Sequence, residues 1–313
     1  MASNLTLAFI GCGNMGSAIL SGILDATRTS TPEETETASP KISRFITSTR
    51  SAESAARLRA RFHADAATGR LRCLHAQNVA AMRDADVVVL ACKPFLARDV
   101  LLEDGVAHAL RGKLVVSVLA GTTSGELREC IYGSASASTS TSTSQAESQA
   151  HAQDEGTQND PLIVRTQPNV AADIRQSMTI IQTPDQPLPS PLADALAWMF
   201  QQIGQVKFVP ADQFNAATML VGASMAVMSI PLDGMLDAGV AEGVRRADGL
   251  EMVAQALAGL AGLLKSGVHP AVLRENISSP RGCTIRALLR LEREGVRGSL
   301  AQAVMDGVEH LGR

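Results

Sequence analysis

Two short stretches of the chain hold residue types and spacings that could do chemistry. Gly11, Cys12, Gly13, Asn14, Met15 and Gly16 read G-x-G-x-x-G, directly after the strand-like run LTLAFI that ends at Ile10. In that setting Gly11 allows a tight turn, Gly13 lets backbone approach a pyrophosphate, and Gly16 lets a helix pack closely on a strand. The following helix N-terminus favours the anion, so the motif reads as a dinucleotide cradle rather than a structural turn alone. Far along the chain, ENISSPRGCTIRAL (Glu275 to Leu288) interrupts helix-patterned sequence with hydroxyls, a proline and a glycine. Free amides at a helix start, with hydroxyls beside them, can hold a small carboxylate without adding charge. Helix capping by Ser278 or Ser279 near Gly282 is a structural alternative compatible with that role.

The end of the second strand selects the dinucleotide. An acid there binds a ribose 2′-hydroxyl, whereas a cation accepts a 2′-phosphate. The chain reads TSTRS, Thr47 to Ser51, with Arg50 and no acid before Glu53, which points to NADP(H). LACKPF and VLAG end two further strong strands, at the edge where open α/β sheets bind ligand. Lys93, ahead of Pro94, is read as holding a loop beside the cofactor, since no nearby acid or second lysine would depress its pKa for base or Schiff-base work.

The elements that must position these residues follow from periodicity. LTLAFI, RFITS, ADVVVLAC, KLVVSVLAG, PLIVRT, SMTIIQ and GQVKFV alternate with helix-like segments up to about residue 210, the pattern of a doubly wound, mostly parallel sheet. VVVL and LVVSV are apolar without alternation, as central strands covered on both faces must be. Two segments stand outside these units: 27–41, polar and holding two prolines, is expected to be a surface insertion. The serine- and threonine-rich 133–160 is expected to be a disordered loop, because alanine is its only apolar residue type. From residue 211 to 313 helical spacing takes over, with Met219, Met225, Met228 and Met235 as core filling of a bundle or subunit interface.

Composition narrows the partners. A length of 313 residues fits two domains, and 19% charged residues with a net charge of −3 argue against a nucleic-acid or membrane-surface protein. Five cysteines without a CxxC pair or zinc-site spacing fit a reducing, cytoplasmic setting. No signal-peptide pattern opens the chain. The apolar run 216–232 is broken by Gly222, Ser224, Ser229 and Pro231, short of the ~18 apolar residues expected of a membrane span.

Taken together, these residues resemble the pyrroline-5-carboxylate reductase family. FIGCGNMGSAI is similar to its cofactor loop, VVLACKPF to its Ala-Val-Lys-Pro segment, VVSVLAG to its Ser-x-x-Ala-Gly segment and RTQPNVAA to its Met-Pro-Asn loop. The run from His269 through Val304 resembles its C-terminal signature. The resemblance implies a Rossmann domain followed by an all-helical dimerisation domain, as a homodimer or larger ring, reducing a cyclic imine carboxylate with NAD(P)H. On the substrate side it implies that Ser278, Ser279, Arg281, Gly282 and Cys283 line the carboxylate site, with Ser279 and the amides of Gly282 and Cys283 holding it. The Thr284 hydroxyl would face the imine nitrogen. On the cofactor side it implies Thr49, Asn78, Ala91, Cys92, Lys93, Pro94, Val118, Leu119, Ala120, Asn169 and Asn276, with Ile10 and the glycine loop. A related cyclic imine as substrate, or a homologue that binds NADPH without turnover, remain the alternatives. β-Hydroxyacid dehydrogenases share the domain order but need a lysine deep in the helical half, where this chain has only Lys265.

The chain departs from that family pattern at three places. Arg281 stands where a glycine is usual, which predicts either a reshaped turn or a cation at the site. Gly222 to Ala226 read Gly-Ala-Ser-Met-Ala in place of Gly-Ser-Gly-Pro-Ala, predicting a different entry into the long helix. The acid usual before that helix is missing where Pro210 and Ala211 precede Asp212.

Overall fold

The computed structural model describes residues 4–29, 42–133 and 160–312. Most of the two inserted segments therefore lies outside the described residues. The positions that are described at their edges are ordinary structure: residues 27–29 form the last turn of the first helix, and Asp160 pairs with Arg128 at 2.9 Å.

An eight-stranded sheet forms from β1 (Leu5–Ile10), β2 (Ile42–Thr49), β3 (Leu71–His75), β4 (Val87–Leu90), β5 (Leu114–Ser117), β6 (Leu162–Gln167), β7 (Ser177–Gln182) and β8 (Gly204–Val209). Its order is β3-β2-β1-β4-β5-β6-β7-β8. All neighbours run parallel except β6 and β7. The exception has a simple cause: residues 168–176 connect that pair, too few for the crossover that parallel pairing requires. β3 is absent from the sequence reading. Its residues alternate Leu71 buried, Arg72 exposed, Cys73 buried on the sheet's edge, a half-polar pattern too short to stand out.

Helices cover both faces. α1 (Asn14–Thr29) seats Ile19, Leu20, Ile23 and Leu24 on one face, beside Leu196, Met199 and Phe200 of α8 (Ser190–Gln201). The spacing of three and four residues in α1 supplies the apolar stripe. The opposite face is covered by α4 (Asn78–Arg83), α5 (Ala97–Leu101), α6 (Val106–Ala109) and α7 (Ser124–Tyr132), through Met82, Leu101, Val106 and Leu127. Phe9 is fully buried at the centre, and truncating it to alanine would cost about 3–5 kcal/mol. α2 (Ala52–Arg61) and α3 (His63–Ala67) join β2 to β3. The strand order reverses between β1 and β4, so the loops after these strands flank the crevice where such sheets bind nucleotides.

The chain parts into compact units at residues 1–222 and 223–313, later than the 210/211 division read from the sequence. The reason is local packing. In α9 (Phe214–Thr218), Phe214 is buried with Ile180 and Val209. The Arg165 guanidinium lies 4.3 Å from the Phe214 ring centre and donates to Asn215 Oδ1 at 3.4 Å. The first helical residues thus belong to the sheet.

The second unit contains α10 (Ser224–Ala241), α11 (Arg246–Lys265), α12 (Pro270–Asn276), α13 (Cys283–Arg293) and α14 (Val296–Leu311). A π-helical turn, Met219–Ala223, precedes α10 and forms the entry to that helix. Its apolar side chains are largely uncovered: Ile230 is 74% exposed and Met252 63%. Residues 211–241 and 246–265 are long and apolar enough to cross a membrane by length and composition alone, since the glycines and serines that break the apolar run lower mean hydropathy only slightly.

Candidate active site

A cavity of about 600 Å³ opens at the carboxyl ends of β1, β2 and β4. It is lined by Ile10, Gly11, Cys12, Gly13, Thr49, Arg50, Asn78, Ala91, Cys92 and Lys93 among the residues singled out from the sequence. Gly11 has φ +74° and donates its N–H to the Ser48 carbonyl at 2.8 Å. A Cβ there would lie 2.7 Å from the Cys92 backbone, so the β1 and β4 loops touch only because position 11 is glycine. A Cβ on Gly13 would meet nothing within 4 Å, which leaves an open approach for a ligand to the backbone. At Gly16 it would stand 3.2 Å from Ala91 Cβ, so this glycine sets helix packing. Asn14, Met15 and Gly16 form the first turn of α1, which carries no acid to oppose an anion. These residues fit a pyrophosphate.

Hydrogen bonds brace the β2 side of the cavity. Thr49 Oγ1 donates to the Ser51 carbonyl at 3.1 Å, so it shapes the strand end. Ser48 Oγ donates to Asn78 Oδ1 at 2.8 Å, and Asn78 Nδ2 donates to Glu103 at 3.3 Å. Arg50 is exposed and lines the cavity with Ser51, Ser54 and Arg57. The last three, Phe95, Asp99 and Glu103 were not singled out from the sequence. The Ser51, Ser54, Arg57 spacing of three on a helix was the legible signal for one face.

On the β4 side, Lys93 Nζ lies 5.9 Å from the Phe95 ring centre, and Pro94 opens a short 3-10 turn. Burial pushes the Cys92 thiol up to about 11 and the Cys12 thiol up to about 12, against a partial offset at Cys12 from its hydrogen bond with Ser17. Both are neutral thiols at physiological pH. Val118, Leu119 and Ala120 follow β5 outside the cavity lining, where Val118 N–H donates to the Leu90 carbonyl at 3.1 Å. Asn169 caps the short helix Val170–Ile174 through Oδ1, and its Nδ2 donates to the Val221 carbonyl in the π turn at 3.1 Å. Its side chain is spent on structure.

In the second unit, Ser278 Oγ donates to the Arg274 carbonyl at 2.6 Å and finishes α12, which ends at Asn276. Gly282 N–H then donates to the Ser279 carbonyl at 3.0 Å, closing a four-residue turn with Pro280 and Arg281 in the middle. Arg281 has φ +63°. Proline second and positive φ third are the marks of a type II turn, whose third position favours glycine. The arginine thus occupies the turn position that glycine favours. A Cβ on Gly282 would lie 2.5 Å from Ser279 Oγ, so that hydroxyl packs against Gly282. Gly282 is the N-cap of α13 and supplies no side-chain cap. The amides of Cys283 and Thr284 are left for an outside acceptor.

Comparison with known proteins bears on both units. Residues 211–312 match the family model described as pyrroline-5-carboxylate reductase dimerisation, and residues 6–121 match that for NADP oxidoreductase, coenzyme F420-dependent. A pyrroline-5-carboxylate reductase of Lophium arboricola is 38% identical over 97% of this chain and 91% of its own length. The chain belongs to the pyrroline-5-carboxylate reductase family. The Neurospora crassa member is 36% identical over 97% of this chain and 91% of its own. In fold, the chain is similar to a pyrroline carboxylate reductase of Plasmodium falciparum solved with NADP bound, with a TM-score of 0.73, 23% identity, and 99% and 98% of the two chains covered. Within this family, the match at 211–312 places the two uncovered apolar helices inside a dimerisation segment.

Proposed function

We propose that the protein reduces 1-pyrroline-5-carboxylate to L-proline with NADPH, as a homodimer or a larger assembly of dimers. The observation that carries this reading is the Ser279–Thr284 turn, with uncapped α13 amides beside two hydroxyls, in a chain whose other unit holds a dinucleotide crevice. A bound nicotinamide supplies the hydride. The protein's share is positioning. Gly11, Gly13 and the first turn of α1 hold the pyrophosphate, and Arg50 takes the 2′-phosphate. Lys93 and Pro94 shape the loop beside it, and Asn169 braces the β6 end from behind.

On the substrate side, the carboxylate meets the amides of Cys283 and Thr284 and the Ser279 hydroxyl; the Gly282 amide expected there from the sequence is already engaged by the Ser279 carbonyl. A helix N-terminus favours such an anion by about 1 kcal/mol or more when partly buried. The Thr284 hydroxyl faces the ring nitrogen, while Arg281 adds positive charge at the turn. Reduction adds a hydride to the imine carbon and a proton to the nitrogen, giving a secondary amine. An imine nitrogen protonates readily in water, so no strongly acidic side chain is needed. The exposed apolar faces of α10 and α11 are the surfaces a second copy covers.

Purified protein mixed with the imine should consume NADPH, read by loss of near-ultraviolet absorbance. Oxidation with a ring-size analogue alone would reassign the substrate, and tight NADPH binding without turnover of any cyclic imine would make the protein a cofactor-binding homologue.

A further inference from the structure

We propose that Arg57 is a second cation of the 2′-phosphate site and, with Arg50, sets the preference for the phosphorylated dinucleotide. The inference rests on the cofactor reading above and adds a residue that neither the glycine motif nor the end of β2 includes. Ser51, the N-cap of α2, and Ser54 and Arg57 in its first turns recur at a spacing of three, so they lie on one side of the helix start. All three line the cavity with Arg50. Ser51 Oγ accepts from the Ser54 N–H at 3.2 Å and is 2.9 Å from Ser54 Oγ, while Arg57 Nη2 donates to Ser54 Oγ at 3.4 Å.

The chain of contacts ends in a guanidinium held toward the same space as Arg50. Neither arginine forms an ion pair among the described residues. Glu53, the acid nearest in sequence, does not line the cavity; the acids that do, Asp99 and Glu103, come from the chain after β4, where Glu103 is engaged by Asn78. A phosphate monoester carries nearly two negative charges at neutral pH. One arginine leaves that dianion half compensated; two compensate it and supply donors from both the strand end and the helix. A dinucleotide lacking the phosphate leaves both cations facing solvent and gains nothing from the second.

The test is calorimetric titration of the full chain, wild type and variants, with 2′,5′-ADP against 5′-ADP and with NADPH against NADH. Arg57 is exposed on a helix, and alanine is a good helix former, so Arg57→Ala retains the fold. It is expected to weaken 2′,5′-ADP and NADPH about tenfold, as loss of a charge-assisted contact does, and to leave 5′-ADP and NADH within about twofold. Arg57→Lys, a point charge without the fork, is expected to fall between. Added salt should weaken wild-type NADPH binding more than that of the alanine variant. Equal weakening of both dinucleotides, or of neither, overturns the proposal. If Arg50→Ala alone abolishes discrimination while Arg57→Ala keeps it, only the role of Arg57 falls. If the wild type binds 2′,5′-ADP no tighter than 5′-ADP, the NADP(H) assignment itself falls.

Discussion

Arg281→Gly separates what the turn does by shape from what it does by charge. The residue sits at φ +63° in the third position of a turn closed by the 3.0 Å Gly282 to Ser279 hydrogen bond. A left-handed conformation costs a non-glycine residue about 1–2 kcal/mol, and glycine loses about 0.5–1 kcal/mol in extra unfolded-state freedom. The difference is a net stabilisation of about 0–1.5 kcal/mol, a rise in Tm of up to about 6 °C. The backbone donors stay where they are, so kcat should change by less than about threefold. Loss of an exposed cation facing the carboxylate should raise KM for the imine about three- to tenfold at low salt, with the gap closing as salt is added. Differential scanning calorimetry and steady-state kinetics on the same preparations read both arms. A drop in Tm of several degrees would refute the strain argument, and an unchanged or lower KM would refute the charge argument.

Other consequences can be checked alongside. Thr284→Val keeps the shape of the side chain and removes its hydroxyl; kcat should fall about tenfold or more with NADPH affinity unchanged, and an unaltered kcat would remove Thr284 from the chemistry. Asp65 is buried and pairs with Arg28 and with Arg70 (3.2 Å). Asp65→Ala should therefore destabilise the first unit by about 2–4 kcal/mol, seen as a lower urea midpoint at constant slope. Burial raises the thiol pKa to about 12 at Cys12 and about 11 at Cys92. The unfolded thiols, at about 9, lose protons first as pH rises, so stability is complete below about pH 9 and declines toward pH 11–12. Cys12→Ala should flatten that decline; an equal slope in the variant would assign it to other groups.

The parts legible in the sequence were those with a local cause. Gly11, Gly13 and Gly16 announce their turn because each does a steric job no other residue type does, and VVVL at β4 announces a central strand because both its faces are buried. β3 escaped because an edge strand covered on one face carries Arg72 and His75 within five residues. The division read at 210/211 coincides with the start of the dimerisation match, whereas packing divides the chain at 222/223 because Phe214 docks with Ile180 and Val209, a tertiary contact no helical periodicity reports. Arg281 was legible as a departure, but only the backbone shows that the turn tolerates it. Asn169 was legible only through the family resemblance, which does not reveal that both ends of its side chain are engaged internally. Arg57 was invisible as a cavity residue because its relation to Arg50 arises where a strand end and a helix face converge on one cavity.

The central claim is direct hydride delivery to the imine carbon, and isotope transfer tests it most directly. NADPH carrying deuterium at the transferable position of C4 should, with 1-pyrroline-5-carboxylate and this protein, yield L-proline one mass unit heavier, with the label at C5 and one proline formed per NADPH consumed. Unlabelled proline, or no proline while NADPH remains bound and unoxidised, would contradict the account.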